Sequence, residues 1–223
     1  MAINNRENKI NEIVSKIKKD IKSKRLRRGP SLYFYKRLLK LRDETKSIKR
    51  FIKKDYNMEI LYATLAAWDM NTRGAVMKDY EPFKNDIKRI SRKLSDLEKL
   101  LRQYCDDKKK IFVLLRNVYK NLHVMKSGNK LVSNAKLLHF LFPEYLLPMD
   151  GQNTLRYFYN NTDESVNKYI DIINLSFEIM TMKLKWQIYL DGEKDDWNTN
   201  KPKLIDNAII LLQKNKREKK KKA

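Results

Sequence analysis

Apolar residues recur along most of this chain at intervals of three and four, the spacing of a helix with one buried face. The clearest run is Phe83, Ile87, Ile90, Leu94, Leu97 and Leu101. Asp79 stands ahead of it as a cap and Pro82 falls in the first turn, so one helix is predicted from about Asp79 to Leu101. Ile3, Ile10, Ile13, Val14, Ile17 and Ile21 predict a basic helical segment over residues 1–28, stopped by Gly29-Pro30. Ser31 can cap a second helix that reaches Lys54, with Tyr35, Leu38, Leu39, Ile48, Phe51 and Ile52 on its apolar face. The stretch from about Asn57 to Met70 carries the least charge and reads as a central, buried helix holding Trp68.

Further helices are predicted over about Lys108–Val124, Ser133–Phe142, Asp150–Tyr159, Asp163–Leu190 and Lys201–Lys214. Gly and Pro together number only ten, which favours long helices over tight turns. No stretch shows a convincing period of two. The expected fold class is therefore all-α, a compact body of roughly eight to ten helices over residues 29–213. The final KNKREKKKKA, residues 214–223, is expected to be a disordered lysine-rich tail.

Charge changes the picture more than composition does. Lys and Arg number 50 against 27 Asp and Glu, a net charge of +23. Residues 1–28 hold ten bases against three acids, and the tail holds seven against one, so the excess concentrates at both ends. Such a surplus repels itself and suits a polyanionic partner, with nucleic acid first among the candidates and DNA ahead of RNA. Arg25, Arg27, Arg28, Lys36, Arg37, Lys40 and Arg42 surround the aromatic run Tyr33, Phe34, Tyr35. Guanidinium groups grip phosphates and exposed tyrosines stack on bases. The competing reading buries the tyrosines in the core and leaves the bases simply solvated. Trp186 suits a half-buried position, and Trp197, in the polar EKDDWNTN, suits an exposed contact.

Several classes of chemistry have no motif here. His123 and His139 are sixteen residues apart and there is one cysteine, Cys105, so no zinc, iron–sulfur or disulfide framework is expected. No glycine-rich phosphate loop and no serine-hydrolase elbow is present. Asp106-Asp107 and Asp195-Asp196 read as solvated loops. No cofactor is expected. The opening residues lack a signal peptide's apolar core, and no run of about 18 apolar residues occurs, so a cytoplasmic protein without a membrane span is expected.

The stretch GNKLVSNAKLLHFLFPEYLLPMD, ending at Asp150, resembles the helix–hairpin–helix DNA glycosylases. In that superfamily a glycine-bearing hairpin leads into an apolar helix, and an Asp follows just before the next helix. The resemblance spans about residues 127–156. It implies a hairpin at Ser127–Ser133 with Gly128, Lys130 and Lys136 near DNA phosphate, Asp150 as the essential carboxylate of base excision, and Arg156 beside it. This chain departs from the pattern in having one hairpin glycine, no firmly placed catalytic lysine, and no cluster cysteines. Asp is also among the best helix caps, and one residue can serve as both. Three readings follow: a nucleic-acid-binding protein using basic helices and its tail, a divergent DNA-repair glycosylase acting through Asp150, or a non-catalytic protein-interaction module.

Overall fold

The structure, a computed structural model, describes residues 3, 5–20, 29–70, 76–104, 107–126, 131–190 and 197–222. Among them twelve α-helices and two π-helical turns make up the fold. The expected all-α class holds. One isolated antiparallel bridge, Met77 with Met125, accompanies the helices. None of the described helices is long and apolar enough to cross a membrane.

The chain divides into two compact units, one of Arg28–Phe142 and one of Met1–Arg27 with Pro143–Ala223. Composition sets residues 1–28 apart from a single body. Instead the N-terminal helix shares a unit with the C-terminal segment, and the division inside the body falls at Pro143.

The Arg28–Phe142 unit holds α2 (Pro30–Thr45), α3 (Ile48–Lys53), α4 (Asp55–Leu65), a π-helical turn at Ala66–Met70, α5 (Tyr80–Arg89), α6 (Ser91–Leu101), α7 (Lys108–Asn121) and α8 (Leu131–Leu141). α2 packs on α3, α4 and α8, α3 packs on α6, and α6 packs on α7. The other unit holds α1 (Arg6–Asp20), a π-helical turn at Gly151–Leu155, α9 (Arg156–Tyr159), α10 (Val166–Thr181), α11 (Gln187–Leu190) and α12 (Lys201–Lys222). There α1 buries Ile10, Ile13 and Ile17 and packs on α10 and α12.

Three expected helices are broken. Lys46 adopts a left-handed backbone, φ 53°, and separates α2 from α3. Ser47 then caps α3 by accepting from the Arg50 amide. Ile90, with φ −99° and ψ 10°, separates α5 from α6. All six residues of the predicted stripe from Phe83 to Leu101 remain buried across that kink. The helix expected over Asp163–Leu190 ends at Thr181, where Met182 turns extended. The caps differ as well. Gly29, not Ser31, precedes α2, with φ 138° and Pro30 at the first helical position. Asp79 holds the cap position of α5 but directs its carboxylate to Lys126 at 2.9 Å. α12 continues to Lys222, past the expected end at Lys214.

A charged group organises the Arg28–Phe142 unit. Arg42 of α2 donates through Nε to the Leu141 carbonyl at 2.9 Å and through Nη2 to Glu98 at 3.1 Å. Its guanidinium also lies 5.2 Å from the Phe51 ring centre. Glu98 of α6 in turn accepts from the Ile48 amide, at 3.0 and 3.1 Å, at the first turn of α3. Four helices therefore meet at one ion pair. Burial lowers the Arg42 pKa, with Glu98 opposing the shift. Breaking a buried pair by removing one partner leaves an uncompensated charge. Glu98→Ala should therefore destabilise this unit by about 3 kcal/mol, read as a lower urea midpoint. Replacing both residues, Arg42→Met with Glu98→Leu, should cost much less.

Candidate nucleic-acid interface

The basic residues separate into those used by the fold and those left to solvent. Arg42 is used. Lys136 of α8 is used too: it is 8% exposed, and its Nζ donates to the Trp68 carbonyl at 3.0 Å. It does not offer its charge at the surface, contrary to the phosphate-binding expectation. The apolar neighbours that make α8 a core helix carry Lys136 inward with them. Tyr35 is fully buried, with its hydroxyl 2.7 Å from His139 Nε2. Trp68 donates to the Ser31 carbonyl at 3.2 Å beside them. Trp197 is 8% exposed beneath the Lys203 ammonium, 5.0 Å from its ring centre, so it is not the exposed contact expected. Trp186 is likewise buried rather than half-buried.

A basic strip remains on α3 and its flanks. Ile48, Phe51 and Ile52 turn inward, and Lys49, Arg50 and Lys53 face out. Lys46 and Lys54 bracket them, also exposed. None of these five takes part in an ion pair among the described residues. Asp55, the acid that follows, is held by Lys84 and Lys88 at 3.7 and 3.5 Å. None of the five is among the bases expected to bind phosphate. The signal was nevertheless present: five bases and no acid in nine residues, around an inward triplet at helical spacing.

Three of the expected residues stand on α2, which packs on α3. Lys36 and Arg37 are partly exposed and Lys40 is exposed, 4.0 Å from Glu44. Arg37 donates through Nε and Nη2 to the Tyr56 hydroxyl, at 3.3 and 3.0 Å. That hydrogen bond raises the Arg37 pKa above its ordinary value. Arg25, Arg27, Arg28, Gly128 and Lys130 lie outside the described residues, as do Cys105, Asp106, Asp195 and Asp196.

Asp150 sits in the other unit. Its carboxylate accepts from the amides of Gln152 and Asn153 at 2.7 and 2.9 Å, and its own amide donates to Thr154 Oγ1 at 3.1 Å. Both bonds go to Oδ1, so the carboxylate caps the π-helical turn. Arg217 of α12 donates to the Gln152 carbonyl on the same turn, and Arg156 is exposed on α9. Tyr157 donates to Glu12 at 2.7 Å, with the Lys9 and Lys216 ammonium groups 4.1 and 5.1 Å from its ring centre. Desolvation, then the nearby Lys216 charge, lowers the Lys9 pKa.

Comparison with family models, with curated proteins and with solved structures returned no match.

Two outcomes follow. Asp150→Ala should cost about 1 kcal/mol in denaturant unfolding, and Asp150→Asn, which keeps a capping oxygen, only a fraction of that. Burial first, and the Glu12 carboxylate second, raise the Tyr157 pKa above its ordinary 10.0. A raised folded pKa stabilises fully below the unfolded value and forfeits that contribution as pH rises above it. Thermal stability should fall as pH climbs past 10, and Tyr157→Phe should show a smaller fall over the same range.

Proposed function

We propose that this chain is a nucleic-acid-binding protein whose phosphate contacts come from the α3 strip and the outer face of α2. The observation that carries this reading is a set of five exposed bases, Lys46, Lys49, Arg50, Lys53 and Lys54, without ion-pair partners among the described residues. Like charges held close on a folded surface repel, and a phosphate backbone relieves that repulsion while releasing its counterions. The net charge of +23 supports the same partner. Lysine and arginine on phosphates position nucleic acid without selecting a sequence.

The test is fluorescence anisotropy of labelled DNA and RNA across a salt series, with the full chain and a Lys49→Gln, Arg50→Gln, Lys53→Gln variant. Cutting the chain after Gln213 is the poorer experiment. Lys216 and Arg217 touch Tyr157 and the turn at Gln152, so truncation removes packing along with charge. The wild type should weaken steeply in affinity as salt rises. The variant should bind more weakly, with a salt slope reduced by about one for each phosphate it no longer grips. Affinity that ignores salt, or a variant that binds like the wild type, would overturn the reading.

A further inference from the structure

The surface around Arg37 has a feature that phosphate binding does not explain. Tyr33 is 68% exposed and Tyr56 is 48% exposed. Both stand on the edge where α2 packs on α4, and Arg37 lies near each. Tyr33 precedes Arg37 by four residues, one turn along the same face of α2. Its ring is held edge-on against Phe34, with centres 5.6 Å apart and planes at 78°. Apart from that contact, most of the residue stays in water. Tyr56, on α4, takes two N–H groups of Arg37 on its hydroxyl. The remaining guanidinium donors have no partner among the described residues. Lys36 and Lys40 continue along α2, and Lys53 and Lys54 come immediately before α4.

Large rings left in water forgo the stabilisation of burial, and two of them flanking one arginine is an unfavourable way to build an ordinary surface. Aromatic faces beside basic side chains are how proteins hold unpaired bases. A duplex offers no such partner, because its bases are already stacked on each other and present only edges and backbone.

We infer that the α2–α4 edge is a stacking platform for single-stranded nucleic acid, with Tyr33 and Tyr56 under unpaired bases and Arg37 and Lys40 on the phosphates between them. This rests on the nucleic-acid reading above and adds the form of ligand. The Arg37–Tyr56 hydrogen bond holds the guanidinium in place, so that its free donors face the strand rather than wander.

The experiment uses the full chain with labelled oligothymidylate, oligouridylate and a duplex of the same length at one salt concentration, then repeats each titration across a salt series. Either single strand should bind more tightly than the duplex. Tyr33→Ala and Tyr56→Ala should each weaken single-strand binding by about tenfold; Tyr33→Ala should leave duplex affinity and the salt slope unchanged, whereas Tyr56→Ala also releases Arg37 and should lower the slope slightly. Tyr33→Phe keeps the ring and should retain most single-strand affinity, and Tyr56→Phe, which keeps the ring but loses the Arg37 hydrogen bond, should fall between the wild type and Tyr56→Ala. Thermal melting of every variant separates a missing stacking ring from a failure to fold, and the Tyr33 variants, altered at so exposed a position, should melt as the wild type does. If Lys49, Arg50 and Lys53 matter but neither tyrosine does, or the duplex binds as tightly as the single strand, the platform is overturned and the phosphate strip stands. If no nucleic acid binds in a salt-dependent way, both fall together.

Discussion

The Arg28–Phe142 unit depends on a cation that cannot leave. Arg42 is drawn among four helices by the apolar residues around it on α2, and once there it must find oxygen. It finds the Leu141 carbonyl and the Glu98 carboxylate. Because Glu98 also receives the Ile48 amide, the same carboxylate fixes where α3 begins. One guanidinium nitrogen, Nη1, is buried without a hydrogen bond among the described residues. The arrangement is thus not the most stable way to fill the space, since an apolar pair would avoid the desolvation. Its effect is geometric: the helices that carry the exposed bases are held to one relative placement.

That constraint divides the positive charge into two kinds. Arg42 and Lys136 are engaged inside, each on backbone carbonyls or a carboxylate. The outward bases of α3 are in no ion pair among the described residues. The same sorting occurs separately in the other unit, where Lys203 is paired with Asp206 at 2.5 Å within α12 and both are buried. Net charge counts all of these alike, yet only the outward ones can meet a partner. The formal charge of the chain therefore overstates the reach of its folded surface.

The helical class and the buried stripe from Phe83 to Leu101 were legible because periodicity reports directly which face is covered. The breaks were not. Lys46, Ile90 and Met182 interrupt helices without a glycine or proline, so tertiary packing overrode local preference there. Burial of charged and polar-flanked residues was also hidden. Arg42 sits in a basic run and Trp197 in an acidic one, and each local context suggests solvent. What takes them inward is a partner distant in sequence for Arg42 and a neighbouring helix turn for Trp197. Asp150 was legible as a cap, because that role is local and its hydrogen bonds reach only two and three residues onward. Tyr56 was overlooked because its significance comes from Arg37, nineteen residues earlier.

The shortness of α3 has a further consequence. Six residues cannot remain helical on their own in water, since the cost of nucleating the helix exceeds what so few bonds return. The strip exists only while Glu98, Ser47 and the inward triplet hold it in shape. Lys49, Arg50 and Lys53 scatter when the unit opens, and the close charge spacing that would attract a polyanion disappears with them. Ligation and folding would therefore be thermodynamically linked: a polyanion that gripped the folded strip and not the scattered bases would withdraw molecules from the unfolded population and stabilise the unit in proportion to its concentration.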